Sequence, residues 1–485
     1  MKKAKEAWQL FATKVFGTSE LTTVKGNIRV ALIAQTFSFG LAIFLALILP
    51  KFVSIEEFAY WQLYLLYANY VGIALIGIND GIYLRLGGKE SAKLNSAELK
   101  TEVLIASGLQ SILLVSILTT LMLQTSSPDR LFVLASILLY GIIQNIYSLL
   151  SYIFQSVNLT HLHSNSVLVS KVLLLIQVAL ILNASWLSYK SIIICHVLSQ
   201  AIALGYLTIC SRTILHAKVL RPKLVLSILV YDLKNGSILM IAYYANAMII
   251  GIARVLIDKK FGITQFGLIS FAFSLIAFTL TFIGQVSLVL FPALRRLSPI
   301  ELREQFSRIR GVLVLLMPII LLGFFALSAC IYWWLPKYSE SVHFLAILMP
   351  ILHFELRTTV INNTYFKVLN RQRQLLYINI LIVVGSTIAA LACALWFNSS
   401  SLVCLSVLIS LVLRCYFSEA YLSKQLQVSI PFKERLSELL LTSIFVACFA
   451  FDSMGLEFFI VSVVVFYLLN YRTVLSQIRQ GVQLS

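Results

Sequence analysis

The chain has 485 residues, 59% apolar and only 12% charged, with a net charge of +18. Soluble domains carry about 25% charged residues, so a soluble globular enzyme is excluded. Runs of ~20 apolar residues recur from about residue 29 to about residue 470, and roughly 20 suffice for a helix to cross a bilayer core about 30 Å thick. The composition therefore predicts an all-α integral membrane protein.

Residues 1–28 form an expected cytoplasmic N-terminal segment. The apolar run after it is long enough to span, and no small-residue cleavage pattern is visible, so a signal peptide is not expected. Trp8, Phe11 and Val15 share a helical face between Lys2, Lys3, Lys5 and Lys14, a pattern for a helix lying on the membrane surface. An unstructured tail is the competing reading.

Fourteen spans follow, at roughly 29–49, 59–79, 102–123, 131–154, 166–184, 187–210, 236–257, 266–291, 312–335, 342–366, 375–397, 402–423, 438–452 and 456–470. The last two are short for a crossing, so twelve plus two describes the pattern. Loops on one side hold 28 Lys and Arg against seven on the other, which makes the rich side cytoplasmic and places both termini inside. A nucleic-acid surface is the rival reading of so basic a chain, and the spread of bases over many short loops argues against it. The seven cysteines lie in or beside apolar spans without metal-ligand spacing, as small packing residues do.

The chain echoes itself at an offset of 208. KFVSIEEF at 51–58 aligns with KKFGITQF at 259–266, and Asn27 with Asn235. Spans 1–2 then match spans 7–8. With the copies offset by six spans, an even number, the repeat predicts two six-helix lobes related by a pseudo-two-fold axis along the membrane normal. The lobes are expected at 29–211 and 236–423, joined by a cytoplasmic linker at 212–235. Residues 424–485 supply two further helices and a cytoplasmic tail.

Span 10 holds HFELRTTVINNT at 353–364. At 1.5 Å per residue, His353 lies near the midplane, with Glu355 and Arg357 slightly further in. A charge at mid-helix costs about 2.5–3.5 kcal/mol on insertion scales, so such groups face protein or a wet cavity. Pro350 upstream removes a backbone hydrogen bond and predicts a kink. Arg414 in span 12 and Lys171 in span 5 reach similar depth. Lys171, Arg357 and Arg414 together suggest a cationic cavity for an anionic head group, and on that basis Arg357→Ala abolishes transport while leaving protein level intact. The bland alternative pairs Arg357 and Glu355 with neighbouring helices and Arg414 with Glu419. His196 and His343 read as satisfied groups. Arg29, Asp80 and Arg85 sit at cytoplasmic helix ends, as an entrance or a solvated face. No P-loop, no H-E-x-x-H and no nucleophile beside a base is present, so neither enzymatic chemistry nor a metal site is expected.

KGNIRVALIAQTFSFGLAIFLALILPKFVSIEEFAYWQ at 25–62, IGINDGIYLRLG at 76–87, GITQFGLISFAF at 262–273 and VLFPALRRL at 289–297 resemble bacterial polysaccharide-unit flippases (Wzx type) of the multidrug/oligosaccharidyl-lipid/polysaccharide exporter superfamily. In the last stretch, Pro292 and Arg295 stand where the family usually has them. The chain departs from the family at Ala253–Arg254, where many relatives carry an acid before the base, so no role of that acid transfers to Arg254. The resemblance implies a non-enzymatic transporter in the bacterial inner membrane. It would move undecaprenyl-pyrophosphate-linked oligosaccharide of O-antigen or capsule from the inner to the outer leaflet by alternating access. Coupling to a proton or sodium gradient is implied, and so are polysaccharide polymerase and chain-length proteins as partners, with no nucleic acid. Arg or Lys would hold the pyrophosphate, and Asn362, Asn363, Thr364 and Tyr365 become candidate sugar ligands. The alternatives are a multidrug or organic-cation antiporter of the same superfamily and a membrane glycosyltransferase or polymerase, the latter disfavoured by the short loops.

Overall fold

A computed structural model describes residues 24–87, 89, 94–182, 184–295, 297–449 and 456–471. Within these ranges the side chains of residues 24–29, 32, 282–289 and 291–293 are excepted. The expected surface helix at residues 1–28 and the tail beyond 471 thus lie essentially outside the described residues. All regular structure among the described residues is helical.

The helices are α1 (Val24–Ile43), extended through a π-turn and a last turn to Phe52, α2 (Ile55–Ala68), α3 (Ile78–Leu86), α4 (Ser96–Leu123), α5 (Pro128–Ser156), α6 (Thr160–Ile181), α7 (Tyr189–Cys210) and α8 (Pro222–Leu294). They continue with α9 (Pro299–Leu315), α10 (Met317–Trp334), α11 (Ser341–Leu348), α12 (Ile351–Arg357), α13 (Asn363–Val368), α14 (Gln372–Leu395), α15 (Ser400–Leu426), α16 (Phe432–Phe449) and α17 (Leu456–Leu469).

Ten described helices are long and apolar enough to cross a membrane, or eleven if the bent pair Ile55–Leu75 and Ile78–Leu86 counts as one. Their outer faces carry large apolar side chains such as Ile112, Leu180, Leu395 and Val461, a surface that lipid rather than water accommodates. The protein is a multi-pass membrane protein. The expected count of fourteen is not confirmed. It depends on dividing the 73-residue α8 and on α17, whose 14 residues reach only about 21 Å.

Helix starts follow local chemistry. Ser54 accepts from the Glu57 amide at 3.1 Å, and Ser188 and Ser298 form reciprocal capping boxes with Ser191 and Glu301, each satisfying an orphan N–H. Asn158, Asn370 and Asn398 take positive φ at helix ends, a conformation Asn tolerates. The 208-residue echo has a backbone counterpart. Ser54 breaks the helix with φ −66° and ψ 164°, and Gly262, 208 positions on, breaks α8 with φ 86° and ψ 172°.

The chain divides into two compact units, Met1–Tyr244 and Ala245–Ser485. In the first, α5 packs on α2, α3, α4 and α7, and α6 on α1 and α7. The core joins Leu75, Ile82, Leu99, Leu150, Phe154, Leu207 and Leu229. Of the expected linker 212–235, residues 222–235 form the start of α8, and Val225 and Leu229 enter this core because α8 is apolar from its first turns. In the second unit the Ser341–Val368 segment is central, largely buried, and contacts α9, α10, α15 and α16. Pro350 breaks it as expected. Helix stops at Leu348 and restarts at Ile351, and a π-turn follows at Thr358–Asn362, a common accommodation at functional or strained sites.

Candidate functional site

Arg357 and Arg414 are 0% and 2% exposed, inside the second unit. Arg357 donates through Nε to Glu419 Oε1 at 2.9 Å, and its two terminal nitrogens reach Glu419 and Glu438. Arg310 from α9 donates to Glu434 and, at 3.4 Å, to Glu419 Oε2. The Tyr416 hydroxyl adds a bond to Glu438 Oε2 at 2.9 Å. Helices α9, α12, α15 and α16 are thus tied by one buried ionic network. Arg414 pairs separately with Glu355 at 2.5 Å. This corrects the cationic-cavity reading for both arginines. Each spends its charge on carboxylates, because an uncompensated guanidinium would be too costly in this interior. The alternative pairing of Arg414 with Glu419 is also not the one formed.

His353, fully buried, accepts at Nε2 from Arg357 Nη1 at 3.3 Å. Since arginine only donates, the ring proton belongs on Nδ1. Asn362 is likewise buried and donates from Nδ2 to the Cys415 carbonyl at 3.3 Å. Tyr365 donates to the Leu302 carbonyl at 3.0 Å, and Thr364 is buried. Asn362 and Tyr365 thus tie helices together, while Thr364 donates to the Thr359 carbonyl of its own segment at 3.4 Å.

Lys171, in the first unit, is half-buried. Among the described residues no carboxylate lies within ion-pair distance of it. Arg85 is not an entrance residue. It pairs with Asp232 of α8 at 2.9 Å and with Glu98 and Glu102 of α4 at 3.2 and 2.6 Å, fastening α3 to both helices. Arg254 lies 5.3 Å from the Phe266 ring centroid, a cation–π contact. The Arg29 side chain lies outside the described residues. His196 bonds the Tyr64 hydroxyl at 2.9 Å, and His343 bonds Ser401 Oγ at 2.7 Å, both satisfied. Among the described residues no group of three His, Cys, Asp or Glu is placed to hold a metal ion.

Neutralising one partner of the Arg414–Glu355 pair leaves a buried lone charge, whereas replacing both with apolar groups does not. Arg414→Met and Glu355→Met are each expected to destabilise by about 3–5 kcal/mol. The double variant should recover most of that loss, read by thermal melting of the detergent-solubilised protein as a double-mutant cycle.

The first unit holds a polar pocket of about 360 Å³ that contains Asp80. It forms where the α2–α3 segment bends by 59°. The bend falls about half-way along Ile55–Leu86, through a 3₁₀ turn at Val71–Leu75 with Ile76 and Gly77 at φ 51° and 87°. One wall is a face of α5. Tyr140, Gln144, Ser148 and Tyr152 recur every fourth residue, and hydrogen bonds of 3.4 and 3.3 Å run from Tyr140 to Gln144 to Ser148. Helical i, i+4 spacing stacks such side chains. Opposite stand Met240, Tyr243 and Tyr244 of α8, brought in by the crossing of Gly77 and Gly81 with Gly236. A Cβ on any of these three would strike the backbone of the other helix. Reasoning from charge missed this pocket. Its signal was the polar stripe in YGIIQNIYSLLSY at 140–152.

With this geometry the chain has the fold of polytopic transporters. It is similar to a multidrug resistance MATE family transporter of the MOP superfamily in its inward-facing conformation. There the TM-score is 0.58 and the identity 10%, over 81% of this chain and 94% of that one. It is similar also to the lipid II flippase MurJ in its inward closed conformation, with a TM-score of 0.67 and 13% identity, over 93% of this chain and 99% of that one. Comparison with protein-family models and with curated proteins gives no match.

Proposed function

We propose that this protein is a flippase for lipid-linked oligosaccharide. Its cargo is a repeat unit of O-antigen or capsule on undecaprenyl pyrophosphate, moved from the inner to the outer leaflet of a bacterial inner membrane by alternating access. The observation that carries the reading is the fold shared with a lipid II flippase over 93% of the chain. A lipid-linked glycan has a pyrophosphate, which calls for a cation, and sugars, which call for uncharged polar and aromatic groups. With Arg357 and Arg414 committed to carboxylates, Lys171 is the remaining candidate for the first, and the polar pocket supplies the second. Both termini are placed in the cytoplasm by the charge bias of the loops. Coupling to a proton or sodium gradient, and partnership with polymerase and chain-length proteins, belong to the same proposal.

Asp80 in the pocket favours a second reading, an organic-cation exporter. Among the described residues of the wall, Asp80 is the only carboxylate and stands with four tyrosines, and a carboxylate with aromatic rings suits a cation. Proteoliposomes separate the two. Fluorescent undecaprenyl-pyrophosphate glycan in both leaflets should become fully accessible to an impermeant quencher only when the protein is present. Absence of that movement, together with accumulation of tetraphenylphosphonium, would overturn the flippase in favour of the exporter.

A further inference from the structure

We infer that the pocket at the broken α2–α3 segment is a saccharide subsite, taking an uncharged polyhydroxylated ring. The inference deepens the reading above and rests on it for the source of the ring, a lipid-linked head group.

The backbone comes first. Irregular chain at mid-membrane depth survives only where it is buried in protein or lines a wet cavity, and interrupted spans are where transporters place their ligands. Residues 71–77 are such an interruption, and the pocket opens on them. Two left-handed residues in succession, one of them the β-branched Ile76, mark a strained position that the surrounding packing must maintain.

The hydrogen-bonding inventory is specific. Asn79 and Asn145 are 8% and 0% exposed, line the pocket, and leave their Oδ1 atoms without a partner. Asn145 is held rigid by its own amide, which donates to the Val71 carbonyl at 3.0 Å and to Gln110 Oε1 at 2.9 Å. Two acceptors with no donor, one of them fixed, are costly when buried, and a ligand that brings donors suits them. Among the described residues no Lys or Arg lines the wall, which argues against a phosphate. Asp80 adds acceptor capacity and repels an anion further.

Shape and apolar character narrow the class. A pyranose ring has an apolar C–H face and a rim of hydroxyls that both donate and accept. Tyrosine rings at 140, 152, 243 and 244 provide surfaces for the first, and the amides and Ser148 provide partners for the second. A volume of about 360 Å³ falls at the low end of the ~300–1,000 Å³ typical of small-molecule sites. The arrangement suits one or two rings of a glycan and leaves the pyrophosphate to be held elsewhere.

The test uses the full-length protein in detergent, with methyl β-glucoside, N-acetylglucosamine and tetraphenylphosphonium as probes in saturation-transfer NMR. The wild type should give transfer from the saccharides. Asn79→Ala should weaken their binding about tenfold, which is about 1.4 kcal/mol. Ser148→Trp should abolish it by filling the pocket. Melting profiles establish that each variant is folded, and Asn79→Ala decides alone if the Trp variant is not. The inference is overturned if no saccharide shows transfer, if transfer survives in folded Ser148→Trp, or if tetraphenylphosphonium binds and Asp80→Asn removes it. Glycan flipping separates the two levels. Wild-type flipping that persists in folded Ser148→Trp sinks the subsite and keeps the flippase. Saccharide binding without flipping sinks the flippase and keeps the subsite.

Discussion

Arg357→Ala is expected to deplete the folded protein from the membrane and not merely to slow transport. The guanidinium is fully buried and is shared between Glu419 on α15 and Glu438 on α16, both also fully buried. Without it, Glu419 keeps only Arg310 Nε at 3.4 Å, and Glu438 keeps Arg310 Nη2 at 3.6 Å and the Tyr416 hydroxyl. Forming such a network gains little, because desolvation of the ions offsets most of their attraction. Removing one member costs about 3–5 kcal/mol, since the remaining charges stay buried without compensation. That is a large part of a typical stability of 5–15 kcal/mol. Arg357→Lys keeps the charge but has no planar fork to hold two carboxylates at once, so it should fall between wild type and Ala. Quantitative immunoblotting of membranes and melting in detergent read the series. Normal abundance and melting in Arg357→Ala would mean that the network does not hold these four helices together.

This outcome differs from the one expected of a cavity cation, and the difference shows what a sequence leaves out. The anomaly itself was plain, since His353, Glu355 and Arg357 in an apolar span must face something polar. Helical periodicity assigns a residue to a face, but it does not say which neighbour covers that face. Arg310 lay in what looked like a cytoplasmic loop, residues 292–311, because Arg303, Arg308 and Arg310 depress local hydropathy; the structure shows Pro299–Leu315 as helix with Arg310 buried. Glu434 masked the start of α16 in the same way, although its four-residue spacing from Glu438 already put the two on one face. Of the carboxylates that neutralise Arg357, Glu419 lay inside the expected span 402–423 and Glu438 at the edge of 438–452, so what periodicity withheld was that both face Arg357. Local signals fared better. Capping residues such as Ser298 with Glu301 mark a helix start by their own chemistry, and the offset of 208 aligned the two stretches, 51–58 and 259–266, in which the structure breaks the helix at Ser54 and Gly262. The pocket in the first unit was missed for a different reason. Its wall is an uncharged stripe, which costs too little in hydropathy to interrupt an apolar span.

Gly236→Ala is expected to be as damaging as the loss of Arg357, although it adds one methyl group and no charge. At the crossing of α3 and α8, a Cβ on Gly236 would overlap the Gly77 carbonyl oxygen and the Gly81 amide nitrogen, and one on Gly81 would overlap the Asp232 backbone. These are main-chain atoms of packed helices, so no side-chain rotation relieves the clash and the helices must separate. Overpacking costs typically about 1–3 kcal/mol and more where the backbone has to move, and small residues are what allow such close crossings within membranes. The damage should also reach the pocket. Met240 and Tyr244 lie one and two turns along α8 from Gly236, so separating the helices withdraws one wall and loosens the Arg85–Asp232 pair. Gly108 in α4 is the internal control, because a Cβ there meets nothing within 4 Å. Gly108→Ala should raise stability by roughly 0.5–1 kcal/mol, the ordinary gain of Ala over Gly in a helix. The two substitutions are chemically identical and are predicted to move the melting temperature in opposite directions. Equal upward shifts would show that α3 and α8 do not meet through these glycines.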